Sequence, residues 1–160
     1  MELRIGHGYD LHRLKKGGEL MLGGVCVSRE ISPEAHSDGD VAIHALVDAL
    51  LGAMGWGDIG ELFPNTDPKW KDASSIVFLQ TVMEDVHDED FAVINADLTI
   101  LAEKPKLKGF KPQIRQVLAK LLGVDVVRVN VKAGTNEGCD AIGQGEALAA
   151  HAVVLLGRGE

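Results

Sequence analysis

The feature that most constrains this chain is a cluster of imidazole and carboxylate side chains near its beginning. Asp10 and His12 stand two residues apart, so on an extended segment both side chains leave the same face. His44 stands four residues after Asp40 and four before Asp48, which places all three on one face of a helix. A strand end that supplies two ligands and a helix that supplies a third predict a metal site. Its fourth tetrahedral position stays open, as in catalytic zinc sites.

A simpler interpretation of the same stretch is the beginning of a helix. Ser37, Asp38 or Asp40 would then accept hydrogen bonds from the free amides of the first turn, and the histidines would lie on an amphipathic surface. Each residue taken alone fits this interpretation well. The combination of all of them favours the metal site.

Length and charge limit the classes of protein to consider. The 160 residues predict a single domain over 1–160 with its own core. The formal net charge of -8 argues against a nucleic-acid surface, which needs a basic field. Cys26 and Cys139 share no metal or disulfide spacing, there is no export signal, and the apolar stretch 41–54 is interrupted by His44 and Asp48. We expect a soluble, cytoplasmic protein with reduced thiols and no membrane contact.

The apolar periodicity predicts alternating strands and helices. Helices are predicted over 40–54, 72–86 and 112–122. Strands are predicted over 3–5 (ending in a loop at His7), 19–27 as a hairpin, 91–101, 126–131 and 147–156, the last as a central strand. Residues 55–70 predict a long functional loop. Together these elements predict an α+β layer fold with helices on one face of the sheet. We expect another subunit to cover the other face.

Six motifs resemble one family in order along nearly the whole chain. They are GHGYDLH at 6–12, AHSDGDVAIHALVDALLGA at 35–53, GDIGELFPNTDP at 57–68, NADLTI at 95–100, KPKL at 104–107 and VNVKAGTNE at 129–137. The chain is thereby similar to the 2-C-methyl-D-erythritol 2,4-cyclodiphosphate synthase family. The resemblance implies a mixed four-stranded sheet with helices on one face, in a chorismate-mutase-like or ferredoxin-like layer fold. It also implies a homotrimer whose sheets pack around the three-fold axis, with active sites between subunits.

The same resemblance implies the reaction. The substrate would be 4-diphosphocytidyl-2-C-methyl-D-erythritol 2-phosphate, a cytidine diphosphate-linked small molecule, cyclised with release of CMP in the non-mevalonate isoprenoid pathway. The enzyme would be a metal-dependent phosphorus–oxygen lyase. A zinc-dependent phosphoesterase acting on a nucleotide-linked substrate is the alternative, because the same ligands can activate water.

The resemblance also implies the reactive residues. One Zn²⁺ per chain would be held by Asp10, His12 and His44. The spacing of Asp48 four residues after His44, rather than the resemblance, leads us to expect that Asp48 orients His44. Glu137 would bind a second divalent cation, Mg²⁺ or Mn²⁺, since hard carboxylate oxygen suits those ions. Two hydrogen-bond donors would stabilise the transition state: His36 and Thr135.

The substrate would lie against three further segments. The methylerythritol part is expected against Ser37, Asp58, Ile59, Gly60, Phe63, Asn65, Thr66 and Asp67; Asn65 replaces an Asp that is common in the family. The cytosine and a phosphate are expected at Ala102, Pro105, Lys106 and Leu107. The loop that carries Thr135 would add Gly134 and Asn136.

The chain departs from the family pattern after Glu137. Ala141 stands where the family has Phe, and Gln144 stands where it has Arg. In relatives these positions and Glu146 line a cavity on the three-fold axis. A neutral Gln cannot offset the charge of a diphosphate, and Ala removes an aromatic wall. We therefore expect weak or absent binding of isoprenoid diphosphates in that cavity.

Overall fold

The computed structural model describes residues 1–159; Glu160, the last residue of the predicted domain, lies outside the described residues. In this part of the chain four strands precede three helices, and three further strands then alternate with two helices. The strands are β1 Glu2–Lys16, β2 Leu20–Leu22, β3 Val25–Ser28, β4 Ile31–Pro33, β5 Ala92–Leu101, β6 Val129–Gly134 and β7 Ala147–Arg158. The helices are α1 Val41–Met54, α2 Ile59–Leu62, α3 Ser75–Asp88, α4 Lys111–Leu122 and α5 Asp140–Gly143.

The main sheet is mixed and has the strand order β4-β1-β7-β5-β6. β5 and β6 are parallel, and the other pairs in it are antiparallel. The sheet therefore has five strands rather than the predicted four, because the short strand β4 pairs with the far end of β1. A second sheet is the hairpin of β2 and β3 predicted at 19–27. The prediction of β7 as a central strand is confirmed, since it lies between β1 and β5.

The first strand is much longer than the sequence predicts. β1 does not end at His7 but continues to Lys16, because it pairs with β7 from Glu2 to Arg13. Asp10 and His12 accordingly lie inside a strand rather than at its end. Their side chains leave the face that is turned toward the helices, as the alternation of β1 requires.

Helix α1 lies directly on β1. The side chain of Asp40 caps its beginning by accepting from the amide of Ile43, and Gly55 ends it with a left-handed φ of 74°. A Cβ on Gly6 would lie 1.8 Å from the Ala49 carbonyl oxygen, and a Cβ on Gly8 would lie 1.7 Å from that of Ala45. The two glycines thus let the helix approach the strand backbone more closely than any side chain would allow.

Most of the remaining predicted helices and loops are present, but their first and last residues differ from the predicted ones. α4 carries Pro112 in its first turn and ends at Gly123. The predicted long loop 55–70 contains α2 and a 3₁₀ turn, Pro68–Trp70. Residues Val126–Arg128, predicted as strand, form another 3₁₀ turn, because the side chain of Asp125 caps it.

One face of the main sheet carries the helices, and the other is open. The open face exposes large apolar side chains of β1 and β7: Leu3, Ile5, Tyr9, Leu11 and Val153. Ile5 is 72% exposed, which is unusual for such a residue in the middle of a sheet. Within residues 1–159 the structure has no helix that is both long and apolar enough to pass through a membrane.

Candidate metal centre and adjoining cleft

Three side chains that were predicted as metal ligands converge where α1 crosses β1. Asp10 Oδ2 lies 3.0 Å from His12 Nε2 and 3.0 Å from His44 Nδ1, and the two histidine nitrogens are 3.3 Å apart. In residues 1–159 this is the one group of three or more His, Cys, Asp or Glu side chains whose ligand atoms gather in this way. Tetrahedral zinc with bonds of ~2.05 Å needs ligand atoms ~3.3 Å apart. The donor set therefore fits such an ion.

The charges of the three side chains support one another. Burial raises the pKa of the Asp10 carboxyl, but hydrogen bonds from His12 and His44, with their positive charges, outweigh it and bring that pKa to about 2. Burial lowers the pKa of the His44 imidazole, but its hydrogen bond to Asp10 and the nearby carboxylates raise it overall. A cation is thus favoured at this point, whether it is a proton on the imidazole or a metal ion.

The nitrogen of His44 that faces away from Asp10 has its own partners. His44 Nε2 lies 2.8 Å from Ser75 Oγ and 3.3 Å from Ser37 Oγ. Ser75 is fully buried at the first turn of α3, and its hydroxyl donates to Asp38 Oδ1 in a close contact. Sequence reasoning missed Ser75, because 31 residues separate it from His44 and no local spacing links them.

The prediction that Asp48 orients His44 is wrong. Asp48 Oδ1 instead accepts from the backbone amide of Ile59 at 2.7 Å, and so fixes the beginning of α2 against α1. Burial raises the pKa of the Asp48 carboxyl, while the bond from Ile59 opposes that effect. The residue that shares a helix face with His44 thus positions the neighbouring loop.

A cleft of about 280 Å³ adjoins the three ligands. The structure brings nine of the predicted site residues to it: Asp10, His12, His36, Ser37, His44, Ile59, Gly60, Phe63 and Asn65. Four residues that the sequence analysis did not name also line it: Glu34, Ala35, Trp70 and Phe78. Phe63 and Phe78 stack at 4.5 Å between ring centroids, and Trp70 packs edge-on against both. An aromatic wall therefore stands beside the metal centre.

Two further predicted residues of the 57–68 motif have side chains that accept hydrogen bonds from backbone amides. Asp58 accepts from the Glu61 amide and caps α2, and Asp67 caps the following 3₁₀ turn. The carbonyl oxygen of Asp67 lies 3.0 Å from His36 Nε2. Because a carbonyl only accepts, this ring nitrogen carries a hydrogen. Thr66 is exposed and lies outside the lining of the cleft.

A second pocket, of about 350 Å³, lies at the β5–β6 edge of the sheet. It is lined by six predicted residues, Ala102, Pro105, Lys106, Leu107, Gly134 and Thr135, and by three that were not predicted, Lys108, Lys111 and Ala133. Three lysines around one pocket form a positive surface in an otherwise acidic chain. Such a surface suits an anion of more than one charge.

The loop after β6 is held from the preceding segment. The amide of Asn136 donates to Glu103 Oε1 at 3.1 Å, and the Ala102 amide donates to the Gly134 carbonyl at 3.0 Å. Glu137 follows at the exposed tip with a positive φ of 53°. Asn136 and Glu137 do not line the second pocket, and Glu137 does not join the three ligands on β1 and α1.

The two pockets do not meet within one chain. The sheet register places Asp10 level with Ala150, Ile100 and Ala133. Three strand spacings of ~4.8 Å therefore separate β1 from β6 by ~14 Å. Helix α1 packs on β1 and β7 between the two pockets. His36 and Thr135, predicted to act together, accordingly lie in different pockets.

The fold and the site together define an α+β protein with a group of three possible metal ligands beside a cleft. Within that class, residues 3–157 match the model of the YgbB family, and the chain belongs to this family. The family resemblance stated from the motifs is thereby confirmed.

The relatives carry one name. A 2-C-methyl-D-erythritol 2,4-cyclodiphosphate synthase of Desulfosudis oleivorans is 50% identical over 96% of this chain and 92% of its own length. A chloroplastic protein of that name from Oryza sativa is 46% identical over 99% of this chain and 71% of its own length.

Solved structures agree with the fold. The CDP complex of IspF from Plasmodium falciparum superposes with a TM-score of 0.87 at 32% identity, covering 99% of this chain and 97% of that one. The bifunctional IspDF of Campylobacter jejuni gives a TM-score of 0.95 at 42% identity. This chain is covered to 99% there but spans only 43% of the bifunctional chain.

Proposed function

We propose that residues 1–160 form one cyclodiphosphate synthase domain. It would convert 4-diphosphocytidyl-2-C-methyl-D-erythritol 2-phosphate into 2-C-methyl-D-erythritol 2,4-cyclodiphosphate and CMP, as a metal-dependent phosphorus–oxygen lyase of the non-mevalonate isoprenoid pathway. The observation that carries the proposal is that Asp10, His12 and His44 bring three possible metal-ligand atoms together at the wall of a cleft. The names of the relatives and of the CDP complex support the substrate class.

The chemistry needs positioning and charge neutralisation more than a base. An oxygen of the 2-phosphate, already an anion near neutral pH, forms a bond to the β-phosphorus. The bond from that phosphorus to the oxygen bridging to the α-phosphate breaks, and CMP leaves with the electron pair. Asp10, His12 and His44 would hold Zn²⁺, which supplies Lewis-acid polarisation of a phosphate oxygen when bound.

The other cleft residues would bind and orient the methylerythritol part. Ser37, Ile59, Gly60, Phe63 and Asn65 line the cleft, and Asp58, Thr66 and Asp67 belong to the same loop. The Nε2–H of His36 is already donated to the Asp67 carbonyl, so His36 would donate to the reacting phosphates through a hydrogen on Nδ1. The aromatic wall excludes water from one side of this space.

The second pocket would hold the cytidine end. Ala102, Pro105 and Leu107 supply backbone and apolar contacts to the base, and Lys106 supplies charge to a phosphate. Gly134, Thr135 and Asn136 form the adjacent loop, in which Thr135 would donate to the transferring phosphate. Glu137, exposed at its tip, would bind a second divalent cation, Mg²⁺ or Mn²⁺, which would offset phosphate charge.

We further propose a homotrimer with active sites between subunits. His36 and Thr135 line different pockets of one chain, so a neighbouring chain would be needed to bring them together. The open apolar face of β1 and β7 offers the contact surface, and obligate interfaces bury about 2,000 Å² or more. The chorismate-mutase-like or ferredoxin-like layering and the cytoplasmic location expected from the sequence stay predictions.

Weak or absent binding of isoprenoid diphosphates in the cavity on the three-fold axis also stays a prediction. Gln144 lies in the loop after α5, and its side-chain amide donates to the Gly138 carbonyl at 2.6 Å. That bond occupies a donor that would otherwise be free for an anion. It supports weak or absent binding of isoprenoid diphosphates beside Glu146 and Ala141.

Incubation of the zinc- and magnesium-loaded protein with the cytidyl substrate, followed by phosphorus NMR, tests the reaction. We expect CMP and a cyclic diphosphate in equal amounts. Inorganic phosphate or a linear product would overturn the proposal and select a hydrolytic phosphoesterase.

A further inference from the structure

A chain of buried polar groups runs from the metal centre to the beginning of α3. His44 Nε2 lies 2.8 Å from Ser75 Oγ, and Ser75 Oγ contacts Asp38 Oδ1. Asp38 Oδ2 accepts from the backbone amide of Ser75 at 3.0 Å, and Asp38 Oδ1 also accepts from that of Asp40 at 3.1 Å. Each oxygen of this carboxylate is thus engaged and fixed in place.

The acceptors in this chain set the direction of each hydrogen. An ionised carboxylate only accepts, so the Ser75 hydroxyl hydrogen must point to Asp38. The lone pairs of Ser75 Oγ then face His44, and the short contact is favourable only when His44 Nε2 carries a hydrogen and donates it. In a neutral imidazole the other nitrogen, Nδ1, is then unprotonated. That nitrogen lies among Asp10 and His12.

We infer that Ser75 and Asp38 are positioning residues that hold His44 in the tautomer and ring orientation in which Nδ1 binds the metal. The inference rests on the proposed function only in naming zinc as that metal. Metal-ligating histidines commonly donate their second nitrogen to a carboxylate or carbonyl. Here a buried hydroxyl stands between the imidazole and the carboxylate.

The same contacts explain how helix α3 begins. Ser74 occupies the N-cap position but makes no side-chain capping bond. Asp38, 37 residues earlier, accepts from the Ser75 amide instead, and its own amide donates to the Ala73 carbonyl at 3.0 Å. A single carboxylate thus fixes both the helix end and the hydroxyl that faces His44.

Ser37 is a weaker candidate for this role. Its hydroxyl oxygen lies 3.3 Å from His44 Nε2 and already accepts from the Gly39 amide at 3.2 Å. It also lines the cleft, where solvent and substrate compete for it. Ser75 is 0% exposed, so no water replaces its bond to His44.

The first experiment is a zinc-affinity measurement by competition with a chromophoric chelator, on Ser75→Ala and on Ser74→Ala as its matched control. We expect Ser75→Ala to weaken zinc binding by about 10–100-fold. Ser74→Ala removes a hydroxyl from the adjacent, exposed position and should leave the affinity unchanged. Equal affinities for the two variants would overturn the inference.

Asp38→Asn provides a second variant that keeps the shape of the side chain and the Ser75 hydroxyl. Its amide NH₂ can donate to Ser75 Oγ, which frees the hydroxyl hydrogen to point at His44 Nε2 and favours the opposite tautomer. We expect weaker zinc binding here also, although every atom of Ser75 remains. Wild-type affinity in Asp38→Asn would mean that the carboxylate does not act through Ser75.

Nitrogen NMR of the zinc-loaded protein gives a readout that packing alone would not set. We expect His44 Nε2 to carry a hydrogen that exchanges slowly with solvent, and Ser75→Ala to lose that protection. A His44 Nε2 without a hydrogen in the zinc-loaded protein would overturn the inference. Neither measurement needs substrate, so failure of the proposed reaction in the phosphorus NMR assay is distinguished from failure of this positioning role.

Discussion

The candidate metal centre and the lysine pocket are held in place in different ways. Asp10 and His12 lie on a central strand and His44 on a helix packed closely against it, and their side chains are between 11% and 25% exposed. Lys106 and Lys108 are exposed on a segment that follows β5, and neither side chain has a hydrogen bond to another residue within 1–159. The three possible ligands are fixed by packing within the chain, whereas the lysines carry their charges on long, flexible side chains.

The difference follows from what each region would bind. A metal ion accepts ligand atoms only within a few tenths of an ångström of the right distance, so its ligands must stand on rigid elements. A diphosphate is a large, diffuse anion that several mobile ammonium groups can reach. The metal ligands need exact spacing and are therefore best fixed within one chain. The lysines tolerate movement and can come from a neighbouring chain.

The largest expected effect concerns the rigid region. His44→Ala removes one of three ligands and should abolish zinc binding, with a loss of activity of at least about 100-fold, since a Lewis-acid ion supplies several kcal/mol. Metal analysis and the phosphorus NMR assay check this, and His87→Ala, an exposed histidine of α3, is the control. Full activity in metal-free His44→Ala would separate the centre from the reaction.

The next effect concerns the adaptable region. Lys106→Ala should raise KM by about 10–100-fold, the worth of a hydrogen bond to a charged group, and leave bound zinc unchanged. Lys120→Ala on the exposed side of α4 is the control. A loss of zinc in Lys106→Ala would show that the two regions are not independent.

Mixing the two variants tests whether the regions come from different chains. In a closed trimer, random exchange of His44→Ala and Lys106→Ala copies should rebuild intact sites at about one quarter of all positions. At a substrate concentration near the KM of the unmodified protein, the mixture that has been dissociated and reassembled should therefore be more active than either variant alone. Proven mixed trimers that are no more active at this concentration than the two variants would place both regions of each site in one chain.

The smallest expected effect concerns the stability of the metal-free protein and its dependence on pH through Asp10. The pKa of Asp10 is lowered from 3.8 to about 2, so its ionised form stabilises the metal-free fold above pH 3.8. That stabilisation, at most about 2 kcal/mol, is lost as the pH falls from about 4 toward about 2. Asp10→Asn should show a flatter fall in urea stability over this window than Asp88→Asn, an exposed control. Parallel curves would mean that His12 and His44 do not stabilise the carboxylate.

The sequence predicts what local spacing controls. The helical period, Asp40 before the first turn and Gly55 after the last define α1, and the two-residue spacing places Asp10 and His12 on one face. The length of β1 was underestimated because its glycines resemble a loop, while pairing with β7 keeps them extended. Pairing across 140 residues leaves no local signal.

The part of the site that was not predicted depends on contacts between distant segments. Asp48 shares a helix face with His44, yet its carboxylate accepts from Ile59, because the loop after α1 folds back over it. Ser75 reaches His44 only because α3 packs against α1. The aromatic wall likewise joins Trp70 and Phe78, which belong to separate elements. Each of these contacts depends on tertiary packing and not on local sequence.

The missing side chains of Gly6 and Gly8 have a consequence for how this centre can change. Because α1 rests on the backbone of β1, the backbone separation between His44 and the two strand ligands is set by main-chain contact, and only side-chain rotation is left to adjust the ligand atoms. The ligand triangle can therefore change its size only within narrow limits. Mutations elsewhere can alter the cleft and its substrate, whereas a new metal preference would require replacing a ligand atom.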